Sequence, residues 1–206
     1  WLQAPLSEEQ LIEKWPGVTA HIGGSDHITA RALQAADSLR IISKIGVGYE
    51  TIDVKSATKK GIAVANTPGV NSDAVAEYTL ALMLAMSRRV VSGDRLIRSG
   101  GYSRLQGYTL YNKTLGIIGL GSIGRLVANL ASCFHMRVLA YTRSQDRKYT
   151  EQHGIQLCTL DELLTGSDFI TIHVPLTEST CNMIGECELC RMKPSAQIIN
   201  TSRQGI

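Results

Sequence analysis

The stretch KTLGIIGLGSIG, residues 113–124, constrains the fold of this chain more than any other. An apolar run typical of a buried strand leads straight into Gly119-Leu120-Gly121-Ser122-Ile123-Gly124, and an amphipathic helix pattern follows. In this G-x-G-x-x-G pattern, Gly119 would allow a tight turn, Gly121 would let the backbone approach a pyrophosphate, and Gly124 would let helix and strand pack closely. The helix N-terminus would add N–H groups and a positive dipole. The context favours a dinucleotide site over ordinary turn glycines.

Strands and helices alternate on both sides of this motif. The apolar pattern predicts strands at 39–46, 62–67, 113–121, 137–142, 168–174 and 196–202, and helices at 53–61, 123–134, 159–166 and 186–192. Such alternation is typical of α/β proteins with parallel sheets. We therefore predict two Rossmann-like lobes with parallel, doubly wound sheets, both incomplete in this chain, with a boundary between residues 70 and 71.

A long helix is predicted to join the two lobes. Pro68 and Gly69 break the preceding strand, and Ser72 or Asp73 can cap the helix that follows. Val75, Thr79, Met83 and Met86 would share its apolar face. A helix this apolar must be buried on more than one side. It could pack against other parts of the same chain or form a dimer interface, and the sequence leaves both alternatives open.

The end of the strand after the glycine motif bears on the type of dinucleotide. Sites for NAD usually place an acidic residue there to accept hydrogen bonds from the ribose hydroxyls, whereas an arginine suits the 2′-phosphate of NADP. This chain has Thr142, Arg143 and Ser144, and no carboxylate until Asp146. The pattern favours NADP, or use of both dinucleotides, over strict use of NAD.

Composition excludes several other classes of protein. The net charge of the 206 residues is +3 and the basic residues are scattered, which argues against a nucleic-acid surface. No apolar run approaches the roughly 18 residues of a membrane helix, and the chain does not open with a signal-peptide pattern. We expect a cytoplasmic protein that binds neither membranes nor nucleic acid.

The cysteines and histidines do not predict a metal site. Five cysteines at irregular spacing do not form a disulfide framework, and five histidines lack the spacing of metal ligands. Cys187 and Cys190 form one C-x-x-C pair, for which a zinc or redox role and a plain helix are the alternatives. The single pair favours the helix, and we predict no metal.

Five stretches together resemble the D-isomer-specific 2-hydroxyacid dehydrogenases. They are KIGVGYETID (44–53), GIAVANTPGVNSDAVAEYTLALMLAMSRR (61–89), NKTLGIIGLGSIGR (112–125), DFITIHVPLTEST (168–180) and MKPSAQIINTSRQG (192–205). The resemblance covers nearly the whole chain, and the order of the stretches is more specific than the glycine motif alone. It implies a substrate-binding lobe at 1–70 and a dinucleotide-binding domain at 71–206.

The resemblance also implies roles for individual residues. The backbone of Val47 and Gly48 would meet the substrate carboxylate, and Arg203 would hold a 2-oxo acid and polarise its carbonyl as hydride arrives. The residues implied to contact the dinucleotide are Val47, Gly119, Gly121, Ser122, Ile123, Gly124, Thr142, Arg143, Val174, Pro175, Thr201 and Ser202. Arg203 is thus the implied catalytic residue in this chain.

The chain departs from the family pattern in places. Gln204 stands where the family usually has glycine. The family's histidine acid/base and its orienting glutamate come from motifs downstream of the arginine, and we assign their role to no residue here. Two complete domains would need about 300 residues, so we expect an internal piece of a longer enzyme, with negligible hydride transfer by itself.

The resemblance leaves the particular activity open. A phosphoglycerate dehydrogenase is placed slightly ahead of a glyoxylate/hydroxypyruvate reductase. It would need extra cationic groups around the substrate, for which Lys44 is a candidate. A dinucleotide-sensing scaffold without catalysis is the alternative of another class. An unrelated Rossmann-like binding domain would not explain KIGVGYETID. The implied substrates are small 2-oxo or 2-hydroxy acids, and the implied assembly of the full-length protein is a homodimer.

Overall fold

A computed structural model describes residues 5–206 of the chain. The chain folds into two compact units, Trp1–Asn71, described from residue 5, and Ser72–Ile206. Each unit has its own apolar core. A core of its own is what allows a unit to be a domain. The substrate-binding and dinucleotide-binding roles of residues 1–70 and 71–206 stay predictions.

The first unit is a small parallel sheet with three helices. Its elements are α1 Glu8–Lys14, β1 Ala20–Gly23, α2 Ala30–Ala35, β2 Ile41–Lys44, α3 Val54–Lys59 and β3 Ala63–Ala65. The strands pair in the order β1-β2-β3. Trp15, Leu33 and Ile42 lie in its core. The predicted strands at 39–46 and 62–67 and the helix at 53–61 are present but shorter, while α1, β1 and α2 were not predicted.

Lys60 anchors the end of α2 to the end of α3. Its Nζ donates hydrogen bonds to the carbonyl oxygens of Leu33 at 2.6 Å and Ala36 at 2.9 Å. The last carbonyls of a helix accept no hydrogen bond within the helix, and a cation there also suits the dipole. The ammonium thereby ties two helices of the first unit together.

Replacing Lys60 by methionine is expected to lower the free energy of unfolding by about 1–2 kcal/mol, because hydrogen bonds to a charged group are lost while the apolar stem is kept. Urea denaturation followed by Trp15 fluorescence would measure the change. Lys55→Met, at an exposed position of α3, is the matched control. Equal loss in both variants would contradict a role for these hydrogen bonds.

The second unit contains a larger parallel sheet. Its elements are α4 Ser72–Ser87, α5 Val90–Arg98, β4 Thr114–Ile118, α6 Ser122–Ser132, β5 Arg137–Tyr141, α7 Arg147–Gln152, β6 Ile155–Leu157, α8 Leu160–Gly166, β7 Phe169–Ile172, α9 Glu186–Arg191 and β8 Gln197–Asn200. The strands lie in the order β6-β5-β4-β7-β8, all parallel. The α/β class and the parallel sheets predicted from the sequence are confirmed.

Both faces of this sheet are covered. Leu115 and Ile117 of β4 pack into a cluster with residues of α4 and α6, and Ile118 packs into another with Leu163 and Leu164 of α8. A parallel strand that is buried on both faces reads as a continuous apolar run. This is why β4 and β7 stand out in the sequence.

The long helix differs from its prediction at both ends. It already includes Ser72 and Asp73, so neither is the residue that precedes it, although Asp73 lies in the first turn. It ends at Ser87, and Arg89 has a left-handed backbone with φ 53° before α5 begins. Met86, which was predicted on the apolar face with Met83, is 40% exposed, whereas Met83 and Ser87 are buried. The left-handed backbone of Arg89 thus ends the first helix and starts a separate one, so the apolar face of α4 does not continue into α5.

Candidate functional site

The strand register of the second unit places four predicted regions at one edge. Ile118 pairs with Tyr141 and with Ile172, and Ile172 pairs with Asn200. The next residues, Gly119, Thr142, His173 and Thr201, therefore follow the carboxyl ends of four adjacent strands. All strands are parallel, but β5 and β6 lie on one side of β4 while β7 and β8 lie on the other, so the order in which strands are added reverses at β4. In open α/β sheets, ligands bind outside the carboxyl ends of the strands at such a point.

Gly119 and Gly124 make the turn from β4 into α6. Gly119 has φ 97°, and its N–H donates to the carbonyl of Tyr141 at 2.9 Å. A Cβ on Gly124 would lie 2.1 Å from the carbonyl oxygen of Gly119. The tight turn and the close helix packing predicted from the glycine spacing are both present in the structure.

Gly121 leaves open space in front of the helix. A Cβ built on it meets no atom within 4 Å, and Gly121 is the N-cap of α6 with no side-chain hydrogen bond. The first N–H groups of a helix have no acceptor within it, and with the dipole they favour an anion. This helix begins with Ser122, which is exposed, and Ile123, which is partly buried. A phosphate group fits here by both shape and charge.

The loop after β5 carries the residues predicted for the adenosine ribose. The Thr142 hydroxyl donates to the carbonyl of Ser144 at 3.4 Å, and Arg143 is exposed. Asp146 caps α7, because its carboxylate accepts the N–H of Tyr149 at 3.1 Å. That hydrogen bond and the Arg125 guanidinium lower the pKa of the Asp146 carboxyl. The Asp146 carboxylate is thus oriented by two contacts with other residues of the protein.

The segment after β8 is fixed by its own side chains. The Ser202 hydroxyl donates to the carbonyl of Val174, and the Ser202 N–H donates to Asn200 Oδ1 at 2.9 Å. Asn200 Nδ2 donates to the carbonyl of Arg203 at 2.8 Å. Arg203 is exposed, with Nη1 3.0 Å from the carbonyl of Ser202. The loop therefore presents the guanidinium at the carboxyl edge.

Val174 and Pro175 lie just beyond the end of β7, the strand between β4 and β8. The Thr180 hydroxyl donates to the carbonyl of Pro175 at 2.6 Å, which closes a turn in the segment that leaves the sheet. Val174 is partly buried and Pro175 is exposed. These two residues thus lie between the glycine loop and the segment after β8.

Thr79 is a neighbour of this edge that sequence reasoning missed. It is fully buried in α4, and its hydroxyl lies 3.1 Å from that of Thr201. The Thr79 hydroxyl donates to the carbonyl of Val75 at 2.8 Å, so in the shared bond Thr201 is the donor. Thr201 then keeps its lone pairs as acceptors. A threonine in an apolar helix stripe gave no sequence signal for this contact.

His173 lies at the edge but is not suited to carry charge. Burial lowers the pKa of its imidazole to about 4, and Nε2 has no hydrogen-bond partner within residues 5–206. The unfolded chain takes up this proton near 6.5 and the folded chain near 4. The unfolded state therefore binds more protons between these pH values, and folding stability falls as the pH drops through them.

We expect acidification from pH 7 to pH 4.5 to cost the wild type about 2–3 kcal/mol more of unfolding free energy than it costs His173→Gln. Chemical denaturation at both pH values would measure the difference. His27→Gln, at an exposed histidine, should keep the wild-type pH dependence. An unchanged pH dependence in His173→Gln would show that this imidazole does not titrate as its burial implies.

Val47 and Gly48 belong to the first unit. They follow β2 in a loop where Gly46 has φ 115° and its N–H donates to Thr67 Oγ1 at 3.1 Å. Asn66 Nδ2 donates to the carbonyl of Val47 at 2.8 Å. Residues after β3 thus hold this loop. The other predicted site residues, from Gly119 to Arg203, all lie in the second unit.

The C-x-x-C pair forms part of a short helix. Cys187 and Cys190 lie on α9 and are exposed, so the prediction of a helix is confirmed. Across residues 5–206, no group of three histidine, cysteine or acidic residues could hold a metal ion. In the same part of the chain, no helix has the length and apolar content needed to cross a membrane.

The strand order, the glycine turn and the open helix N-terminus define a dinucleotide-binding α/β domain. Residues 80–206 match the model of the "D-isomer specific 2-hydroxyacid dehydrogenase, NAD binding domain". The chain belongs to the D-isomer-specific 2-hydroxyacid dehydrogenase family. The resemblance drawn from the sequence is thereby confirmed.

Individual relatives are similar over most of the chain. A glyoxylate reductase of Korarchaeum cryptofilum is 43% identical over 98% of this chain and 63% of its own length. A D-3-phosphoglycerate dehydrogenase of Synechocystis is 40% identical over 98% of this chain and 37% of its own. The structure of D-lactate dehydrogenase from Aquifex aeolicus, complexed with NAD and lactic acid, is 32% identical with a TM-score of 0.85, covering 94% of this chain and 59% of that one. The chain thus spans less than two thirds of the length of each of these three relatives.

Proposed function

We propose that this chain forms part of an enzyme that interconverts a 2-oxo acid and a D-2-hydroxy acid with a nicotinamide dinucleotide. The observation that carries the proposal is the alignment of the glycine turn with Arg203 at one carboxyl edge of one sheet. The anion-binding helix and the exposed guanidinium suit the two ligands of such a reaction. Residues 1–70 would form the substrate-binding lobe and residues 71–206 the dinucleotide-binding domain.

The substrate we favour is glyoxylate, with hydroxypyruvate as a related 2-oxo acid. Several of the similar proteins are glyoxylate reductases at 40–44% identity, and this supports the reductase over the phosphoglycerate dehydrogenase that the sequence placed first. A phosphate-bearing substrate would also require cations in addition to Arg203. The order of preference drawn from the sequence is therefore reversed.

In this proposal, different residues bind different parts of the dinucleotide and the substrate. The first turn of α6 binds the pyrophosphate, and the loop of Thr142 and Arg143 binds the adenosine ribose. Thr201 and Ser202 lie beside the nicotinamide, which supplies or accepts the hydride when it is bound. Arg203 holds the carboxylate bidentately and stabilises charge on the carbonyl oxygen. The role of the Val47 and Gly48 backbone at the substrate carboxylate stays a prediction from the family resemblance.

No residue of this chain is assigned to proton transfer. His173 is the histidine at the edge, but its low pKa keeps it neutral near pH 7, and burial keeps Nε2 from a substrate. A general acid needs both reach and a pKa near the working pH. We therefore expect the chain of 206 residues to bind dinucleotide and to give negligible turnover.

The function is tested with the longer protein and with this chain in parallel. Oxidation of NADPH and of NADH would be followed at saturating glyoxylate, hydroxypyruvate and 3-phosphohydroxypyruvate. Turnover with glyoxylate, and a higher rate with NADPH or similar rates with both dinucleotides, is the expected result. Dinucleotide binding without turnover of any 2-oxo acid by the longer protein would favour the scaffold and overturn the enzyme.

We further propose that the longer protein is a homodimer, with α5 in the interface. No residue of α5 is buried, and Val91 is 55% and Ile97 62% exposed. Apolar side chains grouped on one exposed helix are typical of an interaction surface. Light scattering after gel filtration should show a dimer that Val91→Glu with Ile97→Glu converts to a monomer. Leu189→Glu, on exposed α9, is the control. A monomeric wild type would refute the interface.

A further inference from the structure

Asp146 has both carboxylate oxygens engaged within the protein. Oδ1 accepts the N–H of Tyr149 at 3.1 Å, and Oδ2 accepts from Arg125 Nη2 at 3.0 Å. A carboxylate oxygen can accept more than one hydrogen bond, so what these two contacts fix is the direction in which the carboxylate points. Asp146 is the first acidic residue after β5, yet its oxygens are used by the helix cap and by Arg125.

Arg125 connects the two loops of the proposed dinucleotide site. It leaves the first turn of α6, and its Nε lies 3.4 Å from the carbonyl of Leu120 within the glycine loop. Its guanidinium carbon lies 4.1 Å from the ring centroid of Tyr149, so the group is also fixed by a cation–π contact. The Tyr149 hydroxyl donates back to the carbonyl of Arg125 at 3.5 Å. One guanidinium thus joins the glycine loop to the ribose loop.

The charges around this pair favour a second negative group nearby. Arg125 and Asp146 neutralise each other, while Arg143 on the same loop is exposed. Lys148 also lowers the pKa of Asp146 through its charge. With the carboxylate paired, the loop presents a net positive charge where the adenosine ribose is proposed to lie. A 2′-phosphate would be attracted there, and a plain ribose would lack its usual acidic partner.

We propose that the Arg125–Asp146 pair is a specificity-determining latch, which withholds Asp146 from the ribose and leaves Arg143 to bind a 2′-phosphate. The inference rests on the proposed function and deepens it. Arg125 and Asp146 act as positioning residues, because neither is required to touch the dinucleotide. A purely structural pair would change stability or overall affinity, but not the preference between two ligands that differ only by the 2′-phosphate.

Two variants should shift this preference in opposite directions. Arg125→Gln releases the Asp146 carboxylate toward the ribose. There its negative charge would repel a 2′-phosphate, and its oxygens would accept hydrogen bonds from ribose hydroxyls. Asp146→Asn removes the negative charge and keeps a side chain that caps helices as well as aspartate does. We expect the affinity ratio for adenosine 2′,5′-bisphosphate over adenosine 5′-monophosphate to fall about three- to tenfold in the first and to rise about three- to tenfold in the second, the size of one partly screened charge interaction.

Isothermal titration calorimetry of the 206-residue chain with these two nucleotides measures the ratio directly. Arg191→Gln is the matched control, because it breaks the exposed Arg191–Asp161 ion pair between α9 and α8. Its ratio should equal that of the wild type. Thermal melting of each variant checks that the fold is retained.

The outcomes separate the latch from the function on which it rests. Opposite shifts in the two variants support the latch. A wild type that binds the nucleotides, with a ratio unchanged in both variants or changed alike in both, overturns the latch and leaves the dinucleotide site standing. A folded wild type that binds neither these nucleotides nor NADPH overturns the dinucleotide site, and the latch with it.

Discussion

Replacing Gly124 by alanine is expected to lower the free energy of unfolding of the second unit by about 3 kcal/mol, since added volume in a packed site costs this much when the backbone must move. The new Cβ would lie 2.1 Å from the carbonyl oxygen of Gly119. Intrinsic helix propensity predicts the reverse, because alanine is favoured over glycine by about 1 kcal/mol. Urea denaturation followed by circular dichroism decides which effect is larger.

Gly121→Ala is the matched control in the same motif. Its Cβ meets no atom within 4 Å and its φ is −81°, so the fold should lose less than about 1 kcal/mol. The methyl group would, however, occupy the space through which a pyrophosphate approaches the backbone. We expect NADPH affinity to fall about tenfold or more, which is at least about 1.4 kcal/mol. Strong binding by Gly121→Ala, or a stable Gly124→Ala, would contradict the roles given to these glycines.

Replacing Arg203 by glutamine is expected to reduce kcat/KM for glyoxylate about 10²–10³-fold in the longer protein, the usual effect of losing one charge-stabilising donor. Glutamine keeps hydrogen-bonding capacity but has neither the charge nor the forked geometry that grips a carboxylate. Steady-state rates at saturating NADPH would measure the loss. The dissociation constant of NADPH should stay within about twofold, because the dinucleotide lies on neighbouring residues.

Arg203→Lys separates charge from geometry. Lysine restores the positive charge as a point but not the planar fork, so a partial recovery of activity is expected. Arg191→Gln, at an exposed arginine on α9, should retain full activity. Full activity in Arg203→Gln would exclude this residue from the substrate site, and a parallel loss of NADPH binding would place it on the dinucleotide instead.

Long, buried elements were the predictable part of the fold. The strands β4, β5 and β7 carry runs of apolar residues because both faces of the parallel sheet are covered. The short edge strand β6 was missed, since only Ile155 of its three residues is buried. Strand β1 was missed for the same reason, as Gly23 is its one buried residue. Helix α5 was also missed: none of its residues is buried, so no set of core-facing apolar residues marks it in the sequence.

The site was predictable where a backbone requirement selects one residue type. Gly119 has a positive φ and Gly124 sits against a carbonyl, and both requirements can be read from glycine spacing beside a strand. The contacts of side chains with other side chains were not predictable. Asp146 appeared only as the first carboxylate after β5, and its pairing with Arg125 across 21 positions has no local signature.

By itself the sequence determined the α/β class, the glycine turn and the family, because these depend on local patterns of glycine and apolar residues along the chain. The tertiary structure alone decided which strand ends lie side by side. The strand order β6-β5-β4-β7-β8 and its register bring Gly119, Thr142 and Thr201 to one edge, and the fold joins Thr79 to Thr201 across 122 positions. Pairings at such separations depend on how the layers pack, which no local pattern encodes.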